Sequence, residues 1–310
     1  MGVPGVKTVS DRVVITGAAG QVGRFLATEA AGQEREVAAF ASAEWDITDA
    51  AAARQIVRAG DVVVNCAAYT NVDGAESDPA TAHAVNTLGP QILAAHCAAV
   101  GARLIHVSTD YVFGADLGRS GGGSAPHPYT PADRTGPVNV YGQTKLDGER
   151  AVLAALPTAW VVRTAWVYTG GTGTDFVAAM RRLAAGAGTV AMVDDQIGSP
   201  TYVADLVAAL LEVVDRPETT APVDPGGGPV DRILHAANRG AVSRYDQARA
   251  VFAGVGADPD RVHPVDSAHQ PRPARRPSYS ALASAGVTPL RDWREALTAA
   301  LAARPLSSTP

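Results

Sequence analysis

An α/β protein, built on a doubly wound parallel sheet with a smaller C-terminal substrate-binding lobe, is what this chain predicts from three observations. Short apolar runs rich in β-branched residues recur through its first half without polar alternation, the mark of strands buried on both faces. Helical segments separate them, which is the alternation of βαβ units. A turn punctuated by glycines follows the first run, where a strand gives way to a helix.

The strands are read in order as "RVVITG" (12–17), "EVAAF" (36–40), "DVVVNCAA" (61–68), "ARLIHVST" (102–109) and "AWVVRTAW" (159–166). Helices are expected over 21–31, 49–58, 79–100 and 139–156. Beyond residue 166 the regularity weakens. "GTDFVAAMRRLAAG" and "SPTYVADLVAALLEVV" read as helices around a short strand, "TVAMV". "DRILHAAN" is another strand, "SRYDQARAVFAG" a helix, and "LRDWREALTAALAA" closes the chain. The division expected is a Rossmann-like dinucleotide-binding core over 11–166, with some later elements returning to it, and a mainly substrate-binding lobe over 167–303. Residues 1–10 and 305–310 read as tails. The Gly/Pro-rich stretch 114–137 reads as a functional or mobile loop.

Composition narrows the partners. The 310 residues are 46% hydrophobic and 18% charged, ordinary for a globular protein, and large enough to bury a core. A formal net charge of −5 argues against nucleic acid and anionic membranes. Cys66 and Cys97 lie in apolar segments without C-x-x-C spacing, as reduced thiols of a cytoplasmic protein would. No secretory segment opens the chain, and no apolar run approaches the ~18 residues of a membrane helix. Val6 stands where a myristoylation motif after Met1-Gly2 needs Ser or Thr. A cytoplasmic location is expected.

The first strand–helix junction carries Gly17, Gly20 and Gly23 in G-x-x-G-x-x-G spacing. A tight turn, close backbone approach and helix N-terminal amides suit a pyrophosphate. At the end of the second strand, Ala41 and Ser42 stand where an acid would select NADH through the adenosine ribose, and Arg24 is placed to meet a 2′-phosphate. NADPH is therefore the expected cofactor, with NADH possible. In "WDITD", Asp46 or Thr48 caps the next helix or flanks the adenine.

Only two lysines occur, Lys7 and Lys145, so 24 of the 26 basic residues are arginine. Lys145 follows Tyr141 by four residues, one turn along a helix face. A phenol of pKa near 10 exchanges protons poorly at neutral pH, and a neighbouring ammonium is expected to lower that value. The slim ammonium also suits a nicotinamide ribose where a guanidinium fork would not. The fourth strand ends in Ser108, Thr109 and Asp110, at the edge where open α/β sheets bind ligands. Thr109 is expected to donate to a carbonyl oxygen that Tyr141 protonates.

Together "NCAAYTNVDGAE", "STDYVFG", "YGQTKLDGE", "RTAWVY", "DQIGSPTYVADLV" and "RRPSYSAL", with the glycine turn, resemble the dTDP-4-dehydrorhamnose reductase family of extended short-chain dehydrogenases/reductases over about 12–303. The resemblance implies hydride transfer from NAD(P)H to C4 of a dTDP-linked 4-keto sugar, giving dTDP-L-rhamnose for cell-wall polysaccharide. It implies catalytic roles for Thr109, Tyr141 and Lys145, the last two also contacting cofactor. It adds Gln21, Val22, Asp46, Ile47, Ala67, Ala68, Tyr69 and Thr70 to the cofactor-binding glycines, and Thr109, Asp110, Tyr111 and Trp166 toward the sugar. The chain departs from the family in a glycine run at 121–123, in Pro131 where glutamate is frequent, and in Tyr279 where asparagine is common. Phe25 replaces an acid that in some relatives holds a dimer-bridging Mg²⁺, so no metal is expected, and a monomer or metal-independent dimer is.

Rival readings are a 4,6-dehydratase, a 4-epimerase, a 4-ketoreductase for another nucleotide-activated deoxysugar, and a non-catalytic regulatory subunit like that of methionine adenosyltransferase. A dehydratase needs an Asp-Glu pair for elimination, and Tyr111 follows Asp110 here. The complete Thr109, Tyr141 and Lys145 set opposes the regulatory reading.

Overall fold

The computed structural model describes residues 12–114, 127–171, 173–217 and 232–303. The elements in chain order are β1 (Val13–Thr16), α1 (Gln21–Gly32), β2 (Val37–Phe40), α2 (Ala50–Ile56), β3 (Val62–Asn65), α3 (Val72–Ser77), α4 (Pro79–His83), α5 (Gly89–Val100) and β4 (Arg103–Thr109). Then come α6 (Val140–Ala155), β5 (Trp160–Thr164), β6 (Val167–Tyr168), α7 (Phe176–Ala184), β7 (Val190–Val193), β8 (Ile197–Gly198), β9 (Thr201–Tyr202) and α8 (Val203–Val214). Last are β10 (Ile233–His235), β11 (Val242–Ser243), α9 (Arg244–Gly254), β12 (Val262–Val265) and α10 (Trp293–Ala302).

Six parallel strands run in the order β10-β5-β4-β3-β1-β2. Their apolar runs lack alternation because both faces are covered. Val13 and Ile15 enter one core with Leu26 of α1 and Leu206 and Leu210 of α8, while Val14 enters the other with Leu93 and Cys97 of α5 and Val152 of α6. The weakening of the pattern after residue 166 therefore does not mark the end of the sheet. β10 pairs with β5 from Ile233↔Val161, and α8 lies in the same apolar core as α1. Outside that sheet lie the pairs β7/β12, β8/β11 and β6/β9 with α7, α9 and α10, which share the apolar core of Val13, Ile15 and α1.

The helix expected over 79–100 is interrupted by a π turn at Ala84–Leu88. Pro90 explains it: lacking an N–H, it cannot bond the carbonyl four residues back, that of Asn86, and its ring displaces that carbonyl. The freed oxygen faces α6, where a Cβ on Gly148 would lie 2.1 Å from it. Only glycine allows that approach. The short α3, capped by Asn71 accepting from Gly74 N–H, was not foreseen. The first residues of "SPTYVADLVAALLEVV" form β9 and its approach rather than helix. The 1–10 and 305–310 tails and the 121–123 glycine run lie outside the described residues.

Candidate active site

A cleft of about 900 Å³ opens at the C-terminal ends of β1, β3, β4 and β5, the expected ligand edge of such a sheet. Its two halves are built differently.

The first half is mostly backbone. Gly17 has φ +68°, and a Cβ there would lie 2.6 Å from Ala67 N, so the turn demands glycine. Gly20 caps α1 without any side-chain hydrogen bond, leaving the helix amides to a ligand. Gly17, Gly20, Gln21, Val22 and Gly23 all line the cleft, with Ala67, Ala68 and Thr70 from the far side of the turn. Asn65 fixes that side: its Oδ1 accepts from Thr16 Oγ1 (2.7 Å) and from Ala67 N–H (3.1 Å). Asp46 and Ile47 also line it. Neither Asp46 nor Thr48 caps α2. Asp49 does, accepting from Ala51 N–H, and Asp46 instead accepts from the amide and hydroxyl of Thr48. Trp45 is buried in the same wall, with its indole Nε1 lacking a partner. A glycine cradle, open helix amides and an unpartnered donor fit a dinucleotide. Tyr69, expected among these residues, does not line the cleft. Asn86 grips its backbone, accepting from Tyr69 N–H (2.8 Å) and donating to Tyr69 O (3.1 Å).

The second half is made of side chains. α6 begins at Asn139, which accepts from Gly142 N–H, and one face of it presents Tyr141 and Lys145 to the cleft. Tyr141 meets Tyr111 edge-on at 5.5 Å. Burial pushes the Tyr141 phenol upward, hydrogen bonding with Thr109 pulls it down, and the charges of Asp110 and Tyr111 push it up again. The ammonium does not bring it into the neutral range as the spacing implied. Lys145 Nζ donates to Val107 O at 2.8 Å instead, and burial lowers its own pKa to about 8 against the opposing pull of Glu149. Thr109 Oγ1 accepts from Tyr111 N–H and donates to Asp110, both at 3.2 Å. Asp110 also accepts from Ser280 Oγ (2.5 Å), and burial raises its pKa to about 6.

Beneath and opposite lie Glu149, Arg163 and Arg244, which sequence reasoning missed, and Trp166, which it placed toward the sugar. Under Lys145, Glu149 accepts from Ser108 Oγ (2.5 Å) and from Arg163 Nε (2.9 Å) and Nη2 (2.7 Å), in an ion pair whose partners are both 2% exposed. Opposite Tyr141, Trp166 holds a left-handed backbone (φ +45°), an outlier for a bulky residue. The Arg244 guanidinium lies 3.4 Å from the Trp166 ring centroid and 4.8 Å from that of Phe176. Arg244 lines the cleft, forms no ion pair among the described residues, and has its pKa lowered to about 10 by burial. No local spacing announces it; the stack joins residues far apart in the chain. The segment from Ala274 to Leu282 straps the halves together through the Arg276–Asp73 pair (2.7 Å) and the Ser280–Asp110 bond. Within it Tyr279 turns to Tyr129, ring centroids 6.2 Å apart, and does not line the cleft.

Among the described residues no group of three or more metal-ligating side chains is gathered, and no helix is long and apolar enough to cross a membrane. Phe25 packs against the main core.

A family model described as the RmlD substrate binding domain matches residues 11–305. The dTDP-4-dehydrorhamnose reductase of Mycobacterium tuberculosis H37Rv is 62% identical over 305 residues, covering 97% of this chain and 95% of that one. A crystal structure of a dTDP-4-dehydrorhamnose reductase from Clostridium acetobutylicum superposes with a TM-score of 0.80 at 35% identity, covering 94% and 98%. One from Bacillus anthracis, in complex with NADP, gives 0.81 at 32%, covering 93% and 98%.

Proposed function

The chain belongs to the RmlD substrate binding domain family, and on that premise we propose that it reduces the C4 ketone of dTDP-4-dehydro-6-deoxy-L-mannose to dTDP-L-rhamnose with NADPH. The observation that carries the reading is the convergence of Thr109, Tyr141 and Lys145 on one end of a cleft whose other end is a glycine cradle. When bound there, NADPH supplies a hydride. Thr109 donates a hydrogen bond to the sugar ketone, and Tyr141 delivers its proton to the resulting alkoxide oxygen. Because burial holds the phenol protonated, Tyr141 carries that proton at neutral pH. Lys145 then stabilises the phenolate until solvent returns a proton. The half-buried Arg244, 3.4 Å from the Trp166 ring centroid and without an ion pair among the described residues, supports diphosphate binding by the dTDP moiety. Asp110 and Tyr111 face the sugar beside it.

The test follows NADPH oxidation by the purified protein with the 4-keto-6-deoxy sugar nucleotide, with and without a C3/C5 epimerase upstream. Turnover dependent on the epimerase supports the L-sugar. Equal turnover without it assigns the protein to another deoxysugar, and no turnover of either overturns the reading.

A further inference from the structure

The end of β2 carries a carboxylate that its own sequence positions do not supply. Phe40 O, the last carbonyl of the strand, accepts from Ala18 N–H of the glycine turn at 2.9 Å. The next amide, Ala41 N–H, is taken by Glu44 Oε2 at 2.8 Å. Glu44 N–H returns to Ala41 O at 3.0 Å, so the two residues close a reciprocal turn. Across the glycine turn stands Arg24, in the first turn of α1. Both side chains are exposed, and neither forms an ion pair among the described residues. In doubly wound sheets this strand end receives the adenosine ribose, and an acid there accepts its hydroxyls.

Resting on the dinucleotide reading above, we infer that Glu44 and Arg24 set the choice between NADH and NADPH. Glu44 accepts from the 2′-hydroxyl of NADH and repels the 2′-phosphate of NADPH, while Arg24 attracts that phosphate. A purely structural Glu44 would cap the turn and leave the choice untouched. The two roles separate in Glu44→Gln, because the amide oxygen still accepts from Ala41 N–H and only the charge is lost.

Isothermal titration of NADPH and NADH into the protein without substrate reads both roles. In Glu44→Gln the NADPH Kd should fall by about three- to tenfold, the effect of one contact charge in water, with NADH unchanged or weaker. Arg24→Ala should raise the NADPH Kd by about tenfold and move NADH by less than about twofold. Glu44→Ala, melted alongside, reports the cap. A loss of thermal stability in Glu44→Ala together with an unmoved NADPH/NADH ratio in Glu44→Gln reduces Glu44 to a turn residue and overturns the inference. Wild-type protein that binds neither nucleotide overturns the dinucleotide reading first, a different result from an unmoved ratio.

Discussion

Arg244→Met tests the substrate half of the cleft without disturbing the cofactor half. The unbranched thioether keeps an apolar stem over Trp166 but removes the charge and every donor. The guanidinium lies 3.4 Å from the indole centroid, donates to Gln247 Oε1 at 3.2 Å, and forms no ion pair among the described residues, though the nearby charge of Asp110 acts on it. A charge-assisted hydrogen bond contributes about 1.5–3 kcal/mol. A planar fork gripping a diphosphate makes two, and the half-buried setting favours the low end, so the loss is about 3 kcal/mol. That corresponds to about a 150-fold rise in KM for the sugar nucleotide. Steady-state NADPH oxidation over a range of sugar nucleotide gives KM and kcat separately, and titration with NADPH alone checks the other half. Arg244→Lys keeps a charge but not the flat stack, and should fall between. A KM within about threefold of wild type, or an equal loss of NADPH affinity, refutes the argument.

Tyr141→Phe keeps the ring and should cut turnover by roughly 10²–10⁴ with NADPH affinity nearly intact; Lys145→Arg, forced into a site 2% exposed, should lose both turnover and NADPH affinity. Asp110 has a folded pKa of about 6, above its unfolded value of about 3.9, so its stabilising effect is fullest below the lower value and is lost as pH rises through the higher, by about 3 kcal/mol in all. Melting curves of Asp110→Asn should therefore gain on wild type between about pH 4 and 7, while its KM for the sugar worsens. Gly148→Ala drives a methyl into Asn86 O and should cost about 1–3 kcal/mol in urea denaturation. Light scattering should give one mass, monomer or dimer, whether or not EDTA is present, and a dimer that dissolves in chelator would show a metal bridge.

What could be read in the sequence was local. The glycine turn and the Tyr141/Lys145 pair work through spacings of three and four residues, so each appears in the chain as it does in the fold. Trp166 and Arg244 are joined only by tertiary contact, as are Glu149 and Arg163, and no spacing rule reaches that far. β10 (ILH) and β12 (VHPV) are both short, yet one extends the main sheet and the other pairs with β7. Neither strand's sequence names its partner. Glu44 is not legible at the strand's last residues, because only the turn brings its carboxylate back onto Ala41 N–H. The Tyr141 pKa is illegible for a related reason: helical spacing tells which groups are near, but not how dry their surroundings are, and burial is the dominant effect here.

The burial of Tyr141 matters for how the proposed site works. Had the ammonium drawn the phenol down to neutrality, much of Tyr141 would be phenolate at rest and unable to give a proton to an alkoxide. Burial prevents this, but it also makes the phenolate left after transfer costly unless a cation is at hand. Lys145 is that cation only if it remains protonated, and the same burial lowers its pKa to about 8. Glu149, one turn along α6, raises it again. An unpaired Glu149 would draw the ammonium away from Tyr141 into a salt bridge of its own. Arg163 forestalls that, holding both carboxylate oxygens at 2.9 and 2.7 Å. Glu149 can then favour the charge on Lys145 without capturing it, and the Lys145 Nζ is held by a neutral carbonyl, Val107 O. On the proposed mechanism the buried Glu149–Arg163 pair would position Lys145, acting on where its proton and its charge reside rather than touching either substrate.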